Sequence, residues 1–108
     1  MLTREELPEC PVATTVQIIG NKWKLLILRN LFYNGEQRFT DFLKTIPAIS
    51  KKVLTDNLRA LEDDGIILRE VFAEVPPRVV YSLSELGNSL QPIINAMMDW
   101  GTEYKKAL

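Results

Sequence analysis

A row of polar side chains is predicted on the exposed side of one helix in this 108-residue chain, over residues 51–63. At about 100° per residue, Leu54, Leu58 and Leu61 fall on a single stripe that must face a core. The opposite side carries the hydrogen-bonding residues Lys52, Thr55, Asp56 and Arg59. Such side chains can donate to guanine or phosphate, contact a thymine methyl group, or accept from cytosine. The pattern therefore predicts a helix face that can read base pairs, with an ordinary solvated face as the alternative.

A helix-turn-helix is predicted around this face, over residues 38–65. Arg38-Phe39 is expected to form a short strand, and Thr40 to cap the helix that follows. Pro47-Ala48-Ile49 is expected to make the turn, because Pro47 cannot continue that helix. Ser50 then serves as N-cap for the helix from Lys51 to about Asp63. Ser50 and Lys51 thus lie at a helix N-terminus, where backbone N–H groups favour phosphate.

A β-hairpin is predicted next, over residues 66–83. Its first half is rich in Ile, Val and Phe, and Val79, Tyr81 and Leu83 alternate in its second half. Pro76-Pro77 cannot join a ladder, so the tip is expected at residues 75–78. Arg78 is therefore expected on a stiff tip, within reach of a minor groove or a phosphate. The alternative is an incidental turn residue.

Two helices are predicted before this unit. The first begins at Pro11, whose missing N–H is harmless in a first turn. Gly20-Asn21 is expected to end it in a left-handed conformation. The second covers residues 22–33, with Trp23, Leu26, Ile27 and Leu31 facing a core.

The last helix, predicted from Ser84-Glu85 onward, carries more apolar surface than the preceding elements can cover. An excess of this kind usually means a partner, and a second copy is the commonest one. The alternative is packing against the chain's own first helix only. The residues expected at a dimer interface are Val12, Val16, Ile93, Ile94, Met97, Trp100 and Tyr104.

Charge is distributed unevenly along the chain. The net charge is −1, but residues 1–19 sum to −2, residues 20–59 to +5 and residues 60–108 to −4. The basic middle third coincides with the predicted helix-turn-helix, and a local basic face is what phosphate contact requires. A solvated face of mixed charge is the alternative.

Composition narrows the remaining classes of function. The absence of His removes His-based catalysis and most zinc sites, so no cofactor and no metal are expected. The cluster Glu62-Asp63-Asp64 is the one candidate for an enzyme, but it splays around a helix end and lacks a convergent partner. No apolar run approaches the ~18 residues that a bilayer requires, and the polar N-terminus is unlike a secretory signal. A cytoplasmic protein without a membrane partner is expected.

Cys10 is the only cysteine, which fits a reducing compartment. Its position before a helix N-terminus favours the reactive thiolate, whereas Glu5, Glu6 and Glu9 disfavour it. An oxidised Cys10 could pair only with the Cys10 of another subunit or with a small thiol. The alternative is a thiol packed as a small apolar residue under the dimer interface.

Together these residues resemble the HxlR family of small bacterial, MarR-like winged helix-turn-helix regulators. The resemblance covers nearly all of residues 9–101. It rests on Cys10-Pro11-Val12, Gly20 with Lys22-Trp23, Leu26-Ile27-Leu28, Arg38-Phe39, Ile49-Ser50, Lys52, Leu54-Thr55, Leu58-Arg59, Leu61-Glu62, Asp64-Gly65, Val75-Pro76-Pro77-Arg78-Val79, Tyr81-Ser82-Leu83, Gly87 and Trp100-Gly101.

The resemblance implies an α+β, mostly helical fold in one domain, 1–108, of about five helices and a hairpin wing. Residues 1–20 and 84–108 would form the dimerisation helices, 38–65 the helix-turn-helix and 66–83 the wing. It implies a homodimer on a twofold operator, answering electrophiles or oxidants through Cys10. The residues expected to contact DNA are Arg38, Ser50, Lys51, Lys52, Thr55, Asp56, Arg59 and Arg78. A winged-helix module that binds a protein or small molecule without DNA is the alternative.

Three positions depart from the family pattern. Asn21 stands where a second Gly is common, and Ala48 where Gly usually precedes Ile-Ser. Neither is expected to affect the fold, since Asn tolerates positive φ and the turn is expected to need none. Asp56 replaces a frequent Gln, and is expected to change base preference rather than abolish binding.

Overall fold

The computed structural model describes residues 1–108 and contains six α-helices and one β-hairpin. The elements in chain order are a 3₁₀ turn at Arg4–Glu6, α1 (Pro11–Ile19), α2 (Lys22–Asn34), α3 (Phe39–Thr45), α4 (Lys51–Asp63), β1 (Ile67–Phe72), β2 (Arg78–Leu83), α5 (Glu85–Asn88) and α6 (Gln91–Lys106). The predicted mostly helical, winged helix-turn-helix architecture is confirmed.

The junction between α1 and α2 differs from the prediction. Pro11 does open α1, but Gly20 has φ −80° and Asn21 has φ −126°, so neither is left-handed. Asn21 is instead the N-cap of α2, and its side chain accepts a hydrogen bond from the Lys24 N–H at 2.8 Å. Gly20 is needed for another reason, since an added Cβ would collide with the Val16 carbonyl oxygen.

The predicted strand at Arg38-Phe39 is wrong by one residue. Gln37 forms an isolated antiparallel bridge to Tyr81, with N···O distances of 3.0 and 2.8 Å. Arg38 is the N-cap residue of α3, and its N–H donates to Asp41 Oδ2 at 2.9 Å. Thr40 therefore lies inside α3 and does not cap it. Asp41, three residues after Arg38, accepts a backbone N–H that would otherwise be unpaired, and this hydrogen bond fixes where the helix begins.

The hairpin has a regular antiparallel register from Ile67 opposite Leu83 to Phe72 opposite Arg78. Tyr81 is buried, and Val79 and Leu83 pack against the same core, as their alternation predicted. The tip comprises residues 73–77 and is exposed.

The predicted last helix is divided into α5 and α6. Ser84 caps α5 by accepting the Gly87 N–H at 2.9 Å, and its hydroxyl donates to the Gly65 carbonyl at 2.6 Å. Gly87 lies against the Ile66 carbonyl oxygen, where a Cβ would collide. This contact joins α5 to the start of the wing and redirects the chain before α6.

One core unites the helices and the wing. Its fully buried members include Ile27 and Leu28 of α2, Phe42 of α3 and Leu54 of α4. The Phe42 and Tyr81 rings meet edge to face, with centroids 6.0 Å apart. The helix-turn-helix and the wing therefore form a single packed unit, which fixes the wing relative to α4.

Candidate nucleic-acid interface

The anchoring of α4 determines which of its side chains reach solvent. Leu54, Leu58 and Leu61 are all at most 2% exposed and lie in the central core. Burying a leucine contributes roughly 1.5–3 kcal/mol, so this stripe fixes the rotation of the helix about its axis. The 13-residue helix runs from Lys51 to Asp63, with the bounds that its caps predict.

We call the solvent side of α4 the outward face, defined by Lys51, Lys52, Thr55, Asp56 and Arg59. All are exposed except Thr55, which is half-buried. Arg59 and Lys51 have no ion-pair partner, because the three ion pairs of the chain are formed by other residues. Two cations of this face are therefore free to meet an anion.

Lys52 and Asp56 form an ion pair across one turn of α4, with Nζ···Oδ2 at 2.7 Å. Both side chains are largely exposed, and a pair of this kind contributes only about 0.3–0.5 kcal/mol. The pair can therefore open at small cost when either group meets a stronger partner. In the free chain, Asp56 neutralises one of the cations on the outward face.

The two hydroxyls of this region are partly engaged by the backbone. Ser50 Oγ accepts the Val53 N–H at 3.1 Å, which confirms Ser50 as the N-cap of α4. Its hydrogen stays available for an acceptor such as a phosphate oxygen. Thr55 Oγ1 donates to the Lys51 carbonyl at 2.8 Å, so Thr55 offers its methyl group and oxygen lone pairs.

The turn between α3 and α4 contains the one non-glycine residue with positive φ, Ala48 at 63°. The expectation that this turn needs no such conformation is therefore wrong. With Ile46 and Ile49 both buried beside it, the chain reverses within three residues. This left-handed residue permits the tight turn that sets α4 across α3.

On the wing, Arg78 is the first residue of β2 and lies opposite Phe72, at the base of the tip instead of on it. Its Nε is 2.7 Å from Glu74 Oε2, and its guanidinium lies 3.9 Å from the centre of the Phe72 ring. Arg38, the N-cap residue of α3, is exposed and has no ion-pair partner. The residues predicted to contact DNA thus occupy three elements: the α3 start, the outward face and the wing.

Two asparagines that the sequence analysis missed help to position α4. Asn21 Nδ2 donates to Asn57 Oδ1 at 3.1 Å, and Asn57 Nδ2 donates to the Val53 carbonyl at 2.8 Å. These bonds link the N-terminus of α2 to the middle of α4. The capping position of Asn21 could have been recognised from the sequence, but its long-range contact could not.

The thiol of Cys10 is exposed at the N-cap position of α1. Its carbonyl accepts the Thr14 N–H at 3.0 Å, so the backbone is tied into the helix while the side chain is not. The thiol is therefore not packed within its own subunit, and packing under a dimer interface stays the alternative to a sensing role.

The residues predicted at a dimer interface separate into two groups. Val12 and Val16 of α1 are 71% and 58% exposed, and Trp100 of α6 is 69% exposed. Ile93, Met97 and Tyr104 are exposed beside Trp100, and Tyr104 stacks on its ring at 5.2 Å. Ile94, in contrast, is 4% exposed and belongs to the core of its own subunit. Ile94 therefore cannot contact a second copy directly.

The structure gives little support to a metal site, to catalysis by the acidic cluster at the end of α4, or to a membrane-spanning helix. No group of three or more His, Cys, Asp or Glu residues comes together in a way that could hold a metal ion. The acidic residues at the end of α4 diverge, and Asp63 and Glu62 are exposed. No helix combines the length and the apolar character that membrane crossing demands.

Comparisons with known proteins agree with this geometry. Residues 18–108 match the HxlR-like helix-turn-helix family. The HTH-type transcriptional regulator YdeP of Bacillus subtilis is 50% identical over 101 residues, which cover 94% of this chain and 78% of YdeP. YybR of the same organism, also an HTH-type transcriptional regulator, is 43% identical over 92% of this chain and 78% of its own length.

Solved structures show the same architecture. The redox regulator HypR in its reduced form has a TM-score of 0.86 at 42% identity, covering 91% of this chain and 96% of that one. Its oxidised form gives 0.82 at 45% identity, with 87% and 96% covered. Reduced YodB from B. subtilis gives 0.76 at 35% identity, with 90% and 95% covered.

The fold and the outward face of α4 define a helix-turn-helix transcriptional regulator, and the similar proteins are regulators and not enzymes. More specifically, the chain belongs to the HxlR-like helix-turn-helix family.

Proposed function

We propose that this regulator is a homodimer that binds double-stranded DNA sequence-specifically, with the outward face of α4 in the major groove. The observation that carries the proposal is the anchoring of α4. Three buried leucines hold one side of the helix, so that Lys51, Lys52 and Arg59 project from the other. A helix presented in this way fits the width of a B-DNA major groove.

Charge supports the same assignment. The segment 20–59, which contains α2, α3 and the first nine residues of α4, carries +5, whereas the flanking segments carry −2 and −4. Cations on the outward face and at Arg38 would replace counterions on phosphates, and affinity would fall steeply with salt. The net acidic charge of the flanking segments disfavours phosphate contact there except at Arg78 of the wing, so the basic residues of 20–59 would supply most of the contacts with DNA.

Within the proposed interface, the side chains have different roles. Arg59 would donate to guanine, and Asp56 would accept from cytosine N4 once Lys52 turns to a phosphate. Ser50 and Lys51 would contact phosphate at the N-terminus of α4. Arg78, held by Glu74 and Phe72, would approach the flanking backbone or minor groove from the wing.

Dimerisation is the second part of the proposal. The exposed apolar residues of α1 and α6 supply a surface that a second copy would cover, with Trp100 and Met97 near its middle. A twofold axis through it would present two copies of α4 to half-sites about one helical turn, 34–36 Å, apart.

The proposal is tested by fluorescence anisotropy with DNA from upstream of the gene and of its neighbours, a scrambled duplex being the control. We expect tighter binding to one upstream duplex than to the scrambled one at two salt concentrations, with two subunits per duplex. Equal, weak and steeply salt-dependent binding to every upstream and scrambled duplex would contradict sequence-specific recognition. The module that docks a protein without DNA would then be preferred.

A second proposed activity is redox sensing through Cys10. The thiol is exposed, and similar structures include a redox regulator in oxidised and reduced forms and a diamide-treated regulator, YodB. Oxidation would join two Cys10 thiols of different subunits, or Cys10 and a small thiol, in one disulfide. Two protons and two electrons would pass to the oxidant, as when diamide is reduced to its hydrazine.

Diamide titration tests this activity on DNA binding. We expect diamide to change the DNA affinity of the wild type and dithiothreitol to restore it, while Cys10→Ser stays insensitive to both. Serine suits the N-cap position, so the variant should fold normally. An equal response of Cys10→Ser and the wild type would contradict a role for the thiol.

A further inference from the structure

An apolar cavity of about 290 Å³ lies where the N-terminal segment, α1, α5 and α6 meet the end of α4. Its walls include Ile18, Ile66, Leu86 and Leu90, and nine of its 13 lining residues are hydrophobic. None of the lining residues belongs to the outward face of α4. The cavity is therefore a different site from the proposed DNA contacts. The size is close to that of small-molecule sites in proteins, about 300–1,000 Å³.

The polar groups in the cavity offer acceptors and few donors. Thr14 Oγ1 donates to the Pro8 carbonyl at 3.0 Å, and the hydroxyls of Thr15 and Ser89 donate to backbone carbonyls within four residues. The hydroxyl hydrogens are thus already used, and the oxygen lone pairs remain. Asp64 is the only ionisable side chain in the lining and has no ion-pair partner.

The charge of the segments around the cavity favours a cationic ligand. Its walls come from residues 1–19 and 64–93, within the two acidic segments of the chain. No Lys or Arg lines it, and the one cationic group among the lining residues is the N-terminal ammonium of Met1. An apolar body with a cationic hydrogen-bond donor matches the apolar walls, the free acceptors and the half-buried Asp64 together.

We propose that this cavity binds a small apolar amine, with the hydrocarbon against Ile18 and Leu90 and the ammonium beside Asp64. The cavity also touches Asp64 and Ile66, which follow α4 directly, and Ile93 of the face proposed for dimerisation. An occupant would therefore contact both the loop between α4 and β1 and the proposed subunit boundary.

The test uses three probes of similar shape, 2-phenylethylamine, 2-phenylethanol and 3-phenylpropionate, titrated into the full-length protein and followed by NMR of isoleucine methyl groups. We expect saturable shifts at Ile18, Ile66 and Ile93, with the amine binding at least tenfold more tightly than the carboxylate. No saturable binding of the amine, or equal binding of amine and carboxylate, would overturn the proposal. So would shifts confined to the outer α6 face around Trp100.

Two variants and one control test whether the amine binds in this cavity. Asp64→Asn should weaken the amine about tenfold and leave the alcohol unchanged, because only the charge-assisted bond is lost. Thr15→Phe should fill the cavity and abolish amine binding, whereas Gln17→Phe, on the same helix but outside the lining, should not. Circular dichroism checks that each variant is folded. Retained binding in folded Thr15→Phe, or an equal loss in Gln17→Phe, would refute the site.

Discussion

Replacing Ala48 with glycine should stabilise this protein, although the change removes a methyl group. Ala48 has φ 63°, and it is the only non-glycine residue of the chain in the left-handed region. There the Cβ approaches the following carbonyl oxygen, which costs roughly 1–2 kcal/mol. Ala48 is exposed, so its methyl group contributes little burial that the change would forfeit.

The magnitude follows from two opposing effects. Relief of the left-handed strain stabilises the native state by roughly 1–2 kcal/mol. The greater freedom of glycine in the unfolded chain costs roughly 0.5–1 kcal/mol. The net gain for Ala48→Gly is therefore about 0–1.5 kcal/mol, and its midpoint of about 0.75 kcal/mol corresponds to a rise in Tm of roughly 3–6 °C for a domain of this size.

Urea unfolding at fixed protein concentration, followed by circular dichroism, measures the effect. Ala13→Gly is the matched control, because Ala13 is exposed inside α1 with ordinary helical geometry. We expect Ala48→Gly to raise the urea midpoint at constant slope. Ala13→Gly should lower the midpoint, with a loss of about 0.5–1 kcal/mol in the free energy of unfolding. If both variants lose stability, the turn is not strained and the reasoning fails.

Two further outcomes concern DNA contact and assembly. Lys51→Ala should weaken binding to all duplexes alike and reduce the salt slope by about one, as loss of a phosphate contact does; a loss confined to one duplex would contradict that role. Met97→Asp, which places a charge on the exposed apolar side of α6, should yield monomers in sedimentation velocity. Asn95→Asp adds the same charge on the opposite side of α6 and should remain dimeric. A dimeric Met97→Asp would show that the interface lies elsewhere.

Elements with strong local signals were predictable from the sequence. The leucine stripe of α4, with Ser50 before it and Gly65 after it, fixed both its bounds and its buried side. The exposed positions of the cations were predictable too, because residues on the side of a helix opposite its buried stripe face solvent. Helix α2 was predictable for the same reason, because periodicity and capping are properties of neighbouring residues.

The features that sequence reasoning missed depend on long-range contacts. The strain at Ala48 arises because Ile46 and Ile49 must both enter the core. Gly87 of α5 packs on the Ile66 carbonyl, 21 residues earlier in the chain, and the break between α5 and α6 follows at Ser89 and Leu90. Ile94 carries the same periodic signal as its exposed neighbours, yet it faces the core. Periodicity shows that a helix has an apolar side, but not which part of that side its own subunit covers.

The claim that the outward face of α4 reads DNA is tested most directly by comparing Arg59→Ala with the wild type on an upstream duplex that the wild type binds specifically. Arg4→Ala serves as the charge-matched control, since Arg4 is equally exposed but lies in the acidic N-terminal segment. We expect Arg59→Ala to lose about 1–3 kcal/mol of binding free energy, which raises Kd roughly fivefold to 150-fold. The loss on a scrambled duplex should be much smaller. Arg4→Ala should bind as the wild type does. Wild-type affinity in Arg59→Ala would contradict the assignment of α4 as the helix that reads DNA.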